Sequence, residues 1–196
     1  MKVFPDITSV AKEERENYPI RSFNGNIHVI YKPQDVDKAV EYLSSQTIVG
    51  FDTETRPSFS KNHTNSVALL QLSTETDAFL FRLNVIGLPV SLANLLANEA
   101  VAKVGVAVRD DIKGLQKLRQ FTANNFIDLQ TIAKQLHIEA MGLRTLTPVT
   151  LGFKISKRQQ LSNWENEYLS NPQKRYAATD AWVSLKIYQQ LQPYTL

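Results

Sequence analysis

Hydrophobic and polar positions change their period several times along the chain, and each change predicts an element. Residues 27–32, Ile-His-Val-Ile-Tyr-Lys, read as a short β-rich run. Pro33-Gln34-Asp35 then opens a helix through about Ser45, because the missing N–H of a proline would be unpaired at a helix start anyway. Segments 47–53, 66–74 and 77–83 read as three strands with short connections, which favour antiparallel neighbours. Leu92, Leu95 and Leu96 sit at helical spacing within 91–98, and 101–108 reads as a buried strand. Helices are predicted over 110–120, 128–137, 142–151 and from about Asn171 to Gln190. The last has Pro172 in its first turn and an amphipathic stripe through Tyr176, Ala177, Asp180, Val183, Ile187 and Leu191. Antiparallel strands followed by strand–helix alternation predict the α/β class, a mixed sheet flanked by helices. Residues 1–25 carry no such pattern and end in the turn-prone Asn24-Gly25-Asn26, so they are expected to form an arm ahead of a single domain over 26–196.

Composition narrows the chemistry more than the fold. At 196 residues one domain with one sizeable core is expected. The chain has no cysteine, which removes disulfides, thiolate zinc sites and a cysteine nucleophile together. The first twenty residues lack the apolar run of a signal peptide, and nothing resembles a membrane span, so a cytoplasmic protein is expected. A net charge of +3 is compatible with a polyanionic partner and with much else.

Three acidic segments remain to be explained. In Val49-Gly50-Phe51-Asp52-Thr53-Glu54-Thr55, strand alternation puts Asp52 and Glu54 on one face about 7 Å apart. Two such carboxylates repel unless a proton or cation compensates them, and a hard cation suits them; a solvated strand end is the plainer account. In residues 104–115, Val-Gly-Val-Ala-Val-Arg-Asp-Asp-Ile-Lys-Gly-Leu, a buried strand meets adjacent Asp110 and Asp111, one of which is expected to cap the following helix. In Tyr176-Ala177-Ala178-Thr179-Asp180, the tyrosine and aspartate share a helix face one turn apart. Asp180 lies among alanines and Val183 with no basic residue one turn away, so its charge needs a metal, a tertiary arginine or a hydrogen bond.

Taken in this order, the three segments resemble the DEDD superfamily of 3′–5′ exonucleases in its tyrosine-containing branch, similar to ribonuclease D and the Werner-type exonuclease domain. Asp52 and Glu54 match the first motif's Asp-x-Glu, Asp111 falls on the second motif's aspartate with Asp110 as the competing choice, and Tyr176 with Asp180 matches the third motif's Tyr-x-x-x-Asp. Segments 67–73, 126–133 and 151–182 carry further likeness, and the resemblance spans roughly residues 27–192. Ser162-Asn163-Trp164 departs from the family's more usual Ser-Asp-Trp.

The resemblance implies a ribonuclease H-like mixed sheet of about five or six strands, with two divalent ions, Mg2+ or Mn2+. It implies hydrolysis of DNA or RNA from a free 3′ end to 5′-mononucleotides; apart from the resemblance, no membrane association and no obligate protein partner are expected. Asp52 would bridge the ions, Glu54 and Asp180 would complete one, and Asp111 would hold the other through water. A tyrosine titrates near 10, so Tyr176 is expected to orient the attacking water rather than act as a base. Arg56, Lys61, Lys154, Lys157 and Arg158 are candidate contacts to nucleic-acid phosphates, with a solvated loop as the alternative. Trp164 and Trp182 are candidates for base stacking, with core packing favoured for Trp182, and His28, His63 and His137 are too scattered to form a site. Two other readings stand beside this one: a non-catalytic nucleic-acid-binding module on the same fold, and a haloacid-dehalogenase-type phosphatase. The second of these requires an aspartate where Glu54 stands.

Overall fold

A computed structural model describes residues 8–57 and 65–195, so Lys61 and His63 lie outside the described residues. After a short helical turn, α1 (Lys12–Arg15), come β1 (Asn26–Ile30), a 3-10 turn at Pro33–Asp35, α2 (Val36–Ser44) and β2 (Ile48–Thr55). Next are β3 (Val67–Ser73), β4 (Asp77–Phe81), α3 (Leu83–Ile86), α4 (Val90–Ala97), β5 (Ala102–Gly105) and α5 (Val108–Leu118). The chain closes with β6 (Phe126–Asp128), α6 (Leu129–Gln135), α7 (Leu143–Leu151) and α8 (Asn171–Leu191). Six strands form one mixed sheet in the order β1-β4-β3-β2-β5-β6. The β2–β3 and β3–β4 pairs are antiparallel, the second across a connection of only residues 74–76, and β1–β4, β2–β5 and β5–β6 are parallel.

Strand alternation sorts the core into two layers. Val49 and Phe51 of β2, with Leu70 and Leu72 of β3, pack with Val36, Leu43, Leu92, Leu96 and Leu115 from α2, α4 and α5. Gly50 points the other way and meets the backbone of α8: a Cβ there would lie 1.9 Å from the Ala181 carbonyl oxygen. Leu69 and Leu80 share that second face with Tyr176 and Ala177 of α8 and the fully buried Trp164. Farther along α8, Val183, Ile187 and Leu191 pack with Val104 of β5, Ile132 of α6 and Leu146 of α7. The continuous apolar run of β3 follows from burial on both faces.

Three expectations need correction. The strand expected over 101–108 ends at Gly105, and the helix after it begins at Val108 rather than 110. A Cβ on Gly105 would come within 2.8 Å of the Phe51 carbonyl oxygen, and Ala107 adopts φ 56°, so the chain turns there. Because the helix starts early, neither Asp110 nor Asp111 caps it: Ala107 is the N-cap residue and makes no side-chain cap. The three-residue strand β6 was not anticipated, being too short to display a period.

The residues ahead of β1 pack against the rest of the fold: the Thr8 carbonyl accepts from Glu139 N–H at 3.0 Å, and Glu16 accepts from Lys154 Nζ. Ile20 forms a parallel bridge with Lys154, and Lys154 N–H donates to the Pro19 carbonyl at 2.9 Å. Phe23 is 1% exposed, its N–H donates to Thr179 Oγ1, and its ring packs beside Trp182. Among the described residues no helix is long and apolar enough to cross a membrane.

Candidate metal centre and cleft

The C-terminal half of β2 passes out of the core where its side chains become acidic. Asp52 and Glu54 follow Gly50 on the face that meets α8, and Asp180 projects from that helix one residue before Ala181. The close approach permitted by Gly50 brings the three carboxylates together, with one oxygen of each within 4.8 Å of the others. Their electrostatics record the crowding. Burial, followed by the charges of Asp180 and Asp111, pushes the Asp52 carboxyl well above its ordinary range. Burial, then Asp52, Asp180 and Asp111, pushes Glu54 up to about 10. Burial raises Asp180 to about 7, partly offset by a hydrogen bond from Tyr176 and the charge of Arg144.

Asp111 reaches this end of the strand from the opposite side of the sheet. Thr53, between the two acids of β2, faces α5, and its hydroxyl donates to Asp111 Oδ1 at 2.5 Å. Burial lifts Asp111 to about 6, with the Thr53 hydrogen bond acting against the shift and Asp110 and Asp128 adding to it. Asp110 points to solvent, its side chain 90% exposed, and pairs with Lys113 at 3.1 Å. Asp111 is therefore the aspartate turned toward the cluster, although its oxygens lie outside the three-carboxylate group. Asp128, the N-cap residue of α6, holds the turn before α5 by accepting N–H bonds from Ala107 at 3.0 Å and Gln130 at 2.9 Å.

Tyr176 is buried beside Asp180, and Arg144 Nη2 of α7 donates to its hydroxyl at 3.2 Å. Burial raises the phenol well above its ordinary value, and the charges of Asp180 and Glu54 add to the shift against Arg144. Asp52, Thr53, Glu54, Arg144, Tyr176 and Asp180 line a cleft of ≈ 430 Å³. Arg144 was missed in the sequence because an arginine inside an otherwise unremarkable helix carries no local signal. Gln71 was also missed, although a glutamine inside the apolar run of β3 was visible. It pairs in register with Asp52, is fully buried, and among the described residues neither polar atom of its side chain has a partner.

The remaining candidates are scattered. Arg56 lies beyond the end of β2 in an ion pair with Glu165 at 3.5 Å. Lys154 pairs with Glu16, and Lys157 and Arg158 are exposed on the loop leading toward α8. Trp164 is fully buried and Trp182 lies between Phe23 and Phe153, so both serve packing rather than base stacking. His28 is bonded to Asp77 far from the cleft.

The donor set fits a hard divalent cation. It is all oxygen, its three carboxylates cannot ionise together without compensation, and Asp180 Oδ1 is buried with no hydrogen-bond partner among the described residues.

Comparison with known proteins places this arrangement in context. A family model described as 3′-5′ exonuclease matches residues 27–195. The chain is 33% identical over 186 residues to the mouse (Mus musculus) bifunctional 3′-5′ exonuclease/ATP-dependent helicase WRN, a match covering 90% of this chain and 13% of that protein. It is 34% identical over 196 residues to the putative 3′-5′ exonuclease R431 of Acanthamoeba polyphaga mimivirus, covering 88% of this chain and 48% of the relative. The crystal structure of the Aedes aegypti Nibbler EXO domain superposes with a TM-score of 0.80 at 25% identity, covering 88% of this chain and 91% of that one. The chain thus spans less than half the length of the two curated relatives.

Proposed function

The chain belongs to the 3′–5′ exonuclease family, and from that premise we propose that it hydrolyses phosphodiester bonds at the 3′ end of DNA or RNA, releasing 5′-mononucleotides in a reaction dependent on Mg2+ or Mn2+. Family membership sets aside the haloacid-dehalogenase-type alternative. The single observation that carries the reading is the convergence of Asp52, Glu54 and Asp180 within 4.8 Å at the floor of an open cleft.

Asp52, Glu54 and Asp180 are the residues that would hold the cations, with Asp111 contributing from the α5 side through the position Thr53 gives it. Divalent ions bound there supply Lewis-acid polarisation of the phosphate and a lowered pKa for the attacking water. The remaining work falls to side chains in the cleft. Tyr176 stays protonated at neutral pH, since burial and two neighbouring carboxylates oppose its ionisation. Its hydroxyl therefore orients the nucleophilic water by hydrogen bonding and does not remove a proton. The guanidinium of Arg144, already bonded to that hydroxyl, faces the space a phosphate would occupy and suits its non-bridging oxygens. Water oxygen attacks phosphorus, the bond to the leaving 3′-oxygen breaks, and that oxygen takes up a proton to become the new 3′-hydroxyl. Lys157 and Arg158 are proposed contacts to the backbone of the strand; Arg56 is a weaker one because it is tied to Glu165.

The test is a panel of 5′-labelled DNA and RNA strands, single-stranded and with recessed 3′ ends, incubated with Mg2+ or Mn2+. Stepwise shortening that disappears in Asp52→Ala is expected. The reading fails if folded wild-type protein shortens none of these substrates with either ion.

A further inference from the structure

A second cavity of ≈ 330 Å³ opens on the far side of Tyr176 and Asp180, which line it as well as the carboxylate cleft. Its walls come from the arm, from the loop ahead of α8 and from the first turns of that helix. Arg21, Ser22, Arg158 and Arg175 contribute to its polar surface together with Gln159 and Asp180, and Ile20 and Pro172 form an apolar part. Among the described residues none of the three arginines forms an ion pair, so three guanidinium groups surround one concavity without carboxylate partners. The volume sits at the low end of the range for ligand pockets, about 300–1,000 Å³.

The arm residues are held in place. The Ile20–Lys154 bridge and the Arg21 N–H bond to the Lys154 carbonyl at 3.0 Å secure one side. The burial of Phe23 and its bond to Thr179 secure the other. Arg21 lies over the Phe153 ring at 5.5 Å, and Arg175 Nη1 donates to the Phe23 carbonyl at 3.2 Å, leaving donors on each for another acceptor. A site preformed in this way loses little freedom on binding.

Resting on the exonuclease reading above, we propose that this cavity is a nucleotide subsite built in part by the N-terminal arm. It takes the nucleotide on the 5′ side of the scissile phosphate, with Arg21, Arg158 and Arg175 on its phosphodiester and Ile20 and Pro172 against its sugar or base. The position follows from the shared wall: a strand whose 3′-terminal nucleotide occupies the carboxylate cleft passes Tyr176 and Asp180 and enters the arginine-lined space next. Guanidinium–phosphate contacts carry no base code, so the subsite grips any sequence. A segment outside the pattern of the catalytic domain thereby becomes part of its substrate channel.

The test compares two substrates in wild type and Arg21→Ala. One is a single-stranded oligonucleotide with a free 3′ end; the other is thymidine 5′-(p-nitrophenyl phosphate), which has the terminal nucleotide and nothing upstream. The ratio of kcat/KM for the oligonucleotide to that for the ester is expected to fall roughly tenfold, mostly through KM, as loss of one charged hydrogen bond implies. The salt dependence of oligonucleotide binding should become shallower by about one unit. Arg21→Lys should recover part of both, and unchanged thermal melting separates the effect from unfolding. Equal loss on both substrates, or no change in the ratio, overturns the proposal. Anisotropy of a 5′-fluorescein hexathymidylate, measured in Ca2+, reads the subsite without turnover. If wild type hydrolyses neither substrate the exonuclease reading fails separately, and equal hexathymidylate affinity of wild type and Arg21→Ala overturns the subsite by itself.

Discussion

The Cβ that Gly50 lacks would lie 1.9 Å from the carbonyl oxygen of Ala181, so strand β2 and helix α8 touch backbone to backbone between the two elements that carry Asp52 and Asp180. The atom met is backbone, which no rotamer change relieves. Gly50→Ala is expected to destabilise the fold by about 1–3 kcal/mol or more, as overpacking does. Because any relaxation must push α8 off the sheet, it should also weaken Mn2+ binding. Urea denaturation and Mn2+ titration by calorimetry read the two effects; a variant with wild-type values in both would show that the contact does not set the carboxylate spacing.

The Thr53–Asp111 hydrogen bond separates the two adjacent aspartates by function. Asp110→Asn, at an exposed ion pair, should leave single-turnover hydrolysis within about twofold, in keeping with the small worth of surface pairs. Thr53→Val should lower activity or metal affinity by about 10–100-fold, the usual effect of removing a group that orients a ligand. Asp111→Asn should cost more than Thr53→Val. A larger loss in Asp110→Asn would reverse the assignment.

Stability without metal should depend on pH in the direction opposite to that of a salt-bridged acid. Burial pushes Asp111 up to about 6, Asp180 to about 7 and Glu54 to about 10 in the folded chain, all above their unfolded values. The folded state therefore binds more protons than the unfolded one. Its contribution to stability is full below about pH 4 and is lost progressively as pH rises through the folded values. In chelator, the melting temperature attributable to this cluster should fall between about pH 5 and pH 8, and Asp180→Asn should flatten that fall. Added Mn2+ should raise the melting temperature most at the alkaline end, where the carboxylates have no protons to share. A chelated protein whose melting temperature rises over this interval, with no difference in Asp180→Asn, would contradict the electrostatic account.

Removing the Tyr176 hydroxyl tests its role against that of a phenolate base. Tyr176→Phe should lower kcat by about 10²-fold or more, within the range for a positioned proton-handling group, with little change in KM. The shape of the pH–rate profile between about pH 6 and pH 9 should be unchanged, since the hydroxyl does not titrate there. Loss of an alkaline rise in the variant would identify Tyr176 as the base instead.

Much of this was legible in the chain. Alternation in 48–55 put Asp52 and Glu54 on one face, and the helical stripe of 171–191 put Tyr176 and Asp180 on another, because both periods are properties of the backbone and need no partner. Antiparallel pairing of β3 and β4 followed from the short connection at residues 74–76. The start of α5 was misread because Val106, Ala107 and Val108 continue an apolar run while Ala107 takes a left-handed turn that only its surroundings enforce. Arg21 and Arg144 gave no sign, since an isolated arginine acquires meaning only from what lies across from it.

By itself the sequence determined the α/β pattern and the three acidic motifs, with Asp52 and Glu54 sharing one face of a strand and Tyr176 and Asp180 one face of a helix. Tertiary structure alone decided that Asp180 meets Asp52 and Glu54, that Asp111 rather than Asp110 turns toward them, and that the arm brings Arg21 beside the cleft. Periodicity is local and survives in a linear reading. A charge on one element is compensated by groups distant in the chain, and their approach depends on a backbone contact such as that between Gly50 and Ala181, which only the packed fold reveals.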